Sequence, residues 1–201
     1  MRIEEKTKEA LWCAHKLFDR GLVRGSTGNI SFFHEGRMYI SRSGSCFGRL
    51  ESEDFAVVSP GGEILEGKPS KEYPLHLTFY RKAPGTGAVI HTHSLYSTVF
   101  SCRLDAKECV GELFAYTPYL RMQTGGRIGM VDYYPPGSRE LFAAFEKAFV
   151  PDTRAYLMGS HGIAAGAETA YKAFDLIEEF ETSASIADIA GTYEKGKIRI
   201  I

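Results

Sequence analysis

Apolar positions at helical spacing open the chain. Ile3, Leu11, Ala14, Leu17 and Phe18 fall near one stripe of a helix predicted over 3–20, which Gly21 stops. Short apolar runs then take over. Ile30–Phe33 and Met38–Ser41 read as strands of a hairpin around Glu35-Gly36, and Ser52–Val58 as a helical turn entering a strand. A helix is expected from Pro69 to about Lys82, with Ser70 as N-cap and Glu72 in the first turn. Ala88–His93 reads as a buried strand, Ser94–Cys102 as a helix, Val110–Tyr119 as extended and Gln123–Gly126 as a loop. Val131–Tyr134 looks like a strand, and Ser138 caps a helix reaching Phe149. Arg154–Met158 is a strand that ends at Gly159-Ser-His-Gly162. A helix over Glu168–Ala190 turns Ala173, Leu176, Ile177 and Phe180 to the core. The tail, 191–201, reads as an edge strand or a subunit contact.

Composition narrows the class. With 201 residues, 44% of them hydrophobic, and a net charge of −1, one compact domain spanning 1–201 is expected. A pI near 6.6 argues against nucleic acid as a partner. No stretch approaches the ~18 apolar residues of a membrane span. The opening Met1-Arg-Ile-Glu-Glu-Lys6 is charged, so no signal peptide is expected there. Cys13, Cys46, Cys102 and Cys109 form no CxxC pair and read as reduced thiols of a cytoplasmic protein.

The chemistry concentrates in a few short stretches. On a strand, residues two apart share a face, so His91 and His93 point the same way and make half of a transition-metal site. His161 is a third histidine at a strand end. The loops Gly25-Ser-Thr-Gly-Asn-Ile-Ser31 and Ser41-Arg-Ser-Gly-Ser-Cys-Phe-Gly48 flank one hairpin, and both are rich in hydroxyls and glycine. Together they make a pocket for an oxyanion or phosphate, and the helix start at Ser70 adds a third place for an anion. Glu72 is either a carboxylate favoured by the helix dipole or a general base beside the His-x-His strand, with a pKa raised by a dry site. His76, one turn on, reads as packing or support. Gly62–Lys68 fits the first seven positions of a P-loop, but Pro69 stands where that pattern needs Ser or Thr and a continuing helix.

The ordered set Gly28-Asn-Ile-Ser31, Pro69-Ser-Lys-Glu72, His91-Thr-His93 and His161-Gly162 resembles the class II aldolase/adducin family, over Gly21 to about Ala190. The resemblance implies an α/β fold of three layers, with a central mixed, mainly antiparallel sheet flanked by helices. It also implies a homotetramer with active sites between subunits. The family's zinc ligands fall on His91, His93 and His161, and its catalytic carboxylate on Glu72. Its phosphate-binding residues fall on Ser26, Asn29, Ser43, Gly44 and Ser70, and Lys71 replaces the second serine of the family's Pro-Ser-Ser-Glu. Tyr119 falls where the aldolases carry a tyrosine proton donor that reaches a neighbouring subunit.

Several stretches, among them Lys68-Pro-Ser-Lys-Glu72 and Tyr133-Tyr-Pro-Pro-Gly137, are similar to the branch of 3-oxo-tetronate 4-phosphate decarboxylases. The implied reaction is cleavage of a carbon–carbon bond beside a carbonyl in a phosphorylated sugar or sugar acid. It needs a Lewis acid for the enediolate that results, and zinc or another divalent transition metal on three imidazoles supplies one. Decarboxylation to dihydroxyacetone phosphate and retro-aldol cleavage of a ketose 1-phosphate share that electron sink, so both stay open. The ribulose-phosphate epimerases carry Asp at the position of Glu72. A non-catalytic adducin-like interaction domain would lack the metal histidines, and this chain keeps all three.

Overall fold

The computed structural model describes residues 1–192. In chain order the elements are α1 (Ile3–Asp19), β1 (Asn29–His34), β2 (Arg37–Ser41), β3 (Phe55–Val58), β4 (Ile64–Glu66), α2 (Tyr73–Lys82), β5 (Ala88–Thr92) and α3 (Leu95–Ser101). There follow α4 (Ala106–Cys109), α5 (Tyr119–Thr124), β6 (Gly129–Val131), α6 (Arg139–Ala148), β7 (Ala155–Met158), β8 (Gly162–Ala167) and α7 (Ala170–Ala190). The eight strands form one sheet in the order β4-β3-β2-β1-β5-β8-β7-β6, antiparallel throughout except for the β6–β7 pair. The mixed, mainly antiparallel sheet expected above is therefore found, with helices on both faces.

Period-two alternation divides the side chains between those faces. Ile30 and Phe32 of β1, Ala88 and Ile90 of β5, and Ile163 and Ala165 of β8 join the core built with α1 and α7. Val89, Ala164, Tyr156 and Met158 point the other way and pack with Leu75 and Phe79 of α2 and Leu141 and Phe145 of α6. Asn29, Ser31 and His91 take this second parity, so β1 and β5 turn polar side chains toward α2. In the β1–β5 pairing Asn29 lies opposite His91, and in the β5–β8 pairing His91 lies opposite Ala164. The start of β1, the end of β5 and the start of β8 thus meet at one end of the sheet.

Three local expectations need correcting, and one strand was not anticipated. Ser70 does not cap α2. Its N–H bonds to the carbonyl of Ser41 at 3.1 Å, and helical backbone starts only at Tyr73, with Glu72 in the capping position and Pro74 in the first turn, where a missing N–H costs nothing. Val110–Tyr119 is not extended: Val110–Phe114 is a 3-10 helix and Tyr119 opens α5. A single turn suffices to bury Leu113 and Phe114 against the α7 side of the core, where no strand edge is on offer. The edge strand β6 is centred earlier, at Gly129–Val131, where it pairs with β7. β8, which the sequence reading passed over, is made of Gly, Ala and a single Ile; small residues there let Phe79 lie against Gly166, where an added Cβ would meet its ring at 2.4 Å. Of the tail, residues 193–201 lie outside the described residues.

Two buried carboxylates tie helix starts together. Glu9 of α1 accepts from Tyr171 N–H at 2.9 Å at the start of α7. Glu181 of α7 accepts from the N–H groups of Tyr96 and Ser97 at 2.7 and 2.9 Å, and from the Ser97 hydroxyl at 2.6 Å. These are orphan donors of α3, satisfied by a charged acceptor suited to the positive end of a helix. Because α3 begins right after His93, Glu181 also fixes the backbone that carries that histidine. Glu181→Ala should lower the unfolding free energy by about 2–4 kcal/mol, read by urea denaturation. A loss under ~0.5 kcal/mol would mean that water replaces the carboxylate.

Candidate active site

At the shared end of β1, β5 and β8, one carboxylate faces three imidazoles. Glu72, His91, His93 and His161 each offer a ligand atom, and these atoms all lie within 4.8 Å of one another. The ring centroids are 4.7 Å apart for His91–His93 and 4.9 Å for both other pairs, so the rings surround one point. His91 comes from the last turn of pleat in β5, and His93 from the residue just past that strand. His161 sits in the β7–β8 turn, after Ser160 in a left-handed conformation (φ 49°). Gly162 follows because this turn presses against β5: a Cβ there would lie 2.3 Å from the Thr92 carbonyl oxygen and 3.2 Å from His93 Cα.

The protonation pattern suits a cation. His91 donates Nδ1–H to the Ile163 carbonyl at 2.8 Å, which leaves the Nε2 lone pair facing the cluster. That Nε2 stands 2.9 Å from His93 Nε2 and 3.3 Å from Glu72 Oε2. His161 Nε2 and Glu72 Oε1 approach to 3.1 Å, yet neither atom makes a hydrogen bond of proper geometry, and His161 Nδ1 is also buried without a partner. Lone pairs converging on a common point while buried polar atoms stay unpaired is what a ligand set for a divalent ion looks like. Burial, followed by the nearby histidines, pushes His93 down to about 3, although its outer side is exposed. Burial lowers His161 as well, although Glu72 opposes it. His93 and His161 are therefore neutral, and His91 presents its Nε2 lone pair, so the set is able to ligate.

For Glu72 the sequence-based expectation of a raised pKa is reversed. Burial does push it up, but His91 and His161 on either oxygen outweigh that and hold it well below the usual carboxylate range. A dication at the same point would act with the same sign.

Behind Glu72 lies a second polar layer. Its Oε2 accepts from Asn29 Nδ2 at 3.1 Å. Asn29 Oδ1 lies 2.5 Å from His76 Nε2, His76 Nδ1 lies 2.7 Å from Ser31 Oγ, and Ser31 Oγ lies 2.7 Å from the Tyr80 hydroxyl. His76 is fully buried, and burial first, then His91, pushes it down to about 3. Burial raises the Tyr80 phenol above its usual range. The reading of His76 as support fits this position; Ser31 and Tyr80 were not singled out by sequence, although Glu72, His76 and Tyr80 at four-residue spacing carry a signal of one helical stripe.

In front of Glu72 opens a cleft of about 290 Å³. Ser26, Asn29, Ser43, Gly44, Ser70 and Lys71 all line it, together with Glu72 and His93. Residues far apart in sequence are thus brought to one place. Thr27 and Arg42 line it too and were not picked out. Arg42 sits inside the second serine–glycine loop, a cation among hydroxyls that sequence could have flagged. Asn29 is 3% exposed, and its described hydrogen bonds run to Glu72 and His76. Tyr119 stands apart: it is 58% exposed at the start of α5 and is not among the residues lining the cleft.

Residues 8–187 match the family model of the class II aldolase and adducin N-terminal domain. An L-fuculose phosphate aldolase of Methanococcus vannielii is 37% identical over 94% of this chain and 98% of its own. A 3-oxo-tetronate 4-phosphate decarboxylase of Escherichia coli is 34% identical over 94% of this chain and 90% of its own. The crystal structure of YgbL from Klebsiella pneumoniae superposes with a TM-score of 0.89 at 30% identity, covering 100% of this chain and 95% of that one. The chain belongs to the class II aldolase and adducin family. Within that family it is of the enzymatic kind, a lyase with a cluster of three histidines and a glutamate that can hold a metal. No described helix is long and apolar enough to cross a membrane.

Two outcomes follow from this geometry. Gly162→Ala should reduce bound metal from one equivalent to a small fraction, measured by elemental analysis of the purified protein, because the added Cβ drives His161 away from His93. Full retention would show that the turn tolerates the shift. The second outcome concerns pH. His76 has a folded pKa near 3 against 6.5 for an exposed imidazole, so below pH 6.5 the unfolded chain takes up a proton that the fold refuses. Stability therefore falls as pH falls, and His76 alone contributes a loss of about 2 kcal/mol between pH 7 and pH 5. Urea unfolding of the metal-free protein at those two pH values reads it, and equal stabilities would contradict the burial of a neutral His76.

Proposed function

We propose that this lyase cleaves a carbon–carbon bond beside a carbonyl in a phosphorylated sugar acid, as a 3-oxo-tetronate 4-phosphate decarboxylase giving dihydroxyacetone phosphate and carbon dioxide. The observation that carries the reading is the fusion of two sites. Glu72 and His93 belong both to the metal-ligand cluster and to the lining of the hydroxyl-rich, cationic cleft. A phosphate seated by Ser26, Ser43, Gly44 and Ser70 places the reacting carbons beside Glu72, while the Asn29 amide is taken up by Glu72 and His76. A divalent ion on His91, His93 and His161, zinc being the one that neutral imidazoles suit best, supplies a Lewis acid for the oxygen that becomes negative as the bond breaks.

The rest is the work of the chain itself. Glu72, held as a carboxylate, moves protons at the carbon that loses its partner. Lys71 and Arg42 bring two cations to the cleft, which supports a substrate with two anionic ends, a phosphate and a carboxylate. Tyr119 acts across a subunit boundary in a homotetramer; its 58% exposure and that of the neighbouring Met122, at 76%, support an unfinished surface there. Four free thiols support a cytoplasmic setting.

A second reading, an aldolase cleaving a ketose 1-phosphate to the same product and an aldehyde, is favoured by the 37% identity to the Methanococcus enzyme. A coupled assay for dihydroxyacetone phosphate separates the two. The metal-loaded protein is expected to turn over 3-oxo-tetronate 4-phosphate with release of carbon dioxide, and turnover confined to ketose 1-phosphates would replace the decarboxylase reading by the aldolase one. On the active substrate, Glu72→Gln should keep the metal and lose about 10²-fold or more in kcat; near-normal turnover would remove Glu72 from the chemistry.

A further inference from the structure

The polar layer behind Glu72 is more orderly than burial alone requires. Glu72, His76 and Tyr80 stand four residues apart along α2, a rise of about 6 Å per step, and Asn29 and Ser31 stand two apart on β1, about 6.6 Å. The two spacings interleave, so the five side chains alternate between helix and strand as Glu72, Asn29, His76, Ser31, Tyr80. Glu72, Asn29, His76 and Ser31 are between 0% and 4% exposed, so water does not satisfy them.

The donors in this chain are not free to choose. An ionised Glu72 only accepts, so Asn29 must turn its NH₂ toward Oε2 and its carbonyl toward His76. His76 must then carry its proton on Nε2 and accept at Nδ1 from the Ser31 hydroxyl, which in turn accepts from Tyr80. Reversing any one link puts two acceptors or two donors face to face in a dry interior. An apolar face would have packed here more cheaply, as it does one residue away at Leu75 and Leu77.

We propose that His76 is a positioning residue: with Ser31 and Tyr80 behind it, it fixes the amide orientation of Asn29, and through Asn29 it aims the Glu72 carboxylate between the metal cluster and the substrate cleft. The inference rests on the function proposed above only for its kinetic readout. His76 touches neither the cleft nor the cluster, so its loss acts on kcat and not on phosphate binding or metal content.

Two measurements test it. In the full-length protein labelled with ¹⁵N-histidine, the long-range proton–nitrogen spectrum should show His76 as the neutral Nε2–H tautomer, assigned by its loss in His76→Gln. An Nδ1–H tautomer or an imidazolium would overturn the proposal whatever the substrate is. Kinetically, His76→Leu removes the donor to Asn29, while His76→Gln keeps an N–H at the same reach. His76→Leu should lower kcat at least about tenfold with KM within about threefold and metal stoichiometry unchanged, and His76→Gln should restore most of the loss. Equal impairment of the two variants, or none in either, would reduce His76 to packing. If His76→Leu does not fold, Ser31→Ala makes the same cut one link back and Ser31→Thr should repair it; wild-type kcat in Ser31→Ala would overturn the relay. Should no phosphorylated substrate be turned over, the function fails and the tautomer still decides the positioning.

Discussion

A buried, ionised Glu72 is the constraint around which the site is built. A carboxylate taken out of water costs several kcal/mol unless each oxygen finds compensation. Here Oε2 takes Asn29 and faces His91, and Oε1 faces His161. Burial keeps His93 and His161 from charging easily, and His91 turns its Nε2 lone pair inward. Carboxylate and imidazoles together form a concentration of electron pairs that a dication completes.

That arrangement has to be imposed by the scaffold, because the groups repel one another as often as they attract. The sheet does this with register. Antiparallel pairing sets Asn29 opposite His91, and the β5–β8 pair sets the Ile163 carbonyl where it accepts from His91 Nδ1. The close approach permitted by Gly162 brings the β7–β8 turn onto the end of β5. Glu181, reaching from α7 to the start of α3, holds the chain on the far side of His93. Each device lies on a rigid element, which suits side chains that must converge to within a few tenths of an ångström.

The cleft divides labour with the cluster. Ser26, Ser43, Gly44 and Lys71 are exposed around it, Arg42 and Ser70 are half-buried, and Glu72 belongs to both regions. Behind Glu72, the layer reaches the cleft only through Asn29; His76, Ser31 and Tyr80 do not line it.

Much of this was legible in the chain alone. Period-two spacing put His91 and His93 on one face, and the two hydroxyl-rich loops around a hairpin were singled out as one pocket and do line one cleft, because both depend on local geometry that residue type fixes. The long helices at either end were legible for the same reason, as was β5 as a buried strand. What the sequence did not determine depended on partners distant in the chain. The α2 start moved from Ser70 to Tyr73 because the chain flanking Pro69 pairs with the segment following β2, Ser70 N–H donating to the Ser41 carbonyl and the Lys68 carbonyl accepting from Ser43 N–H. β8 is a strand because β5 and β7 flank it, its own Gly and Ala residues having little preference. The sign of the Glu72 pKa shift turned on imidazoles 19 and 89 positions further along, at 91 and 161. Sequence set the spacings along α2 and β1; only the tertiary structure laid one against the other and made their rises interleave.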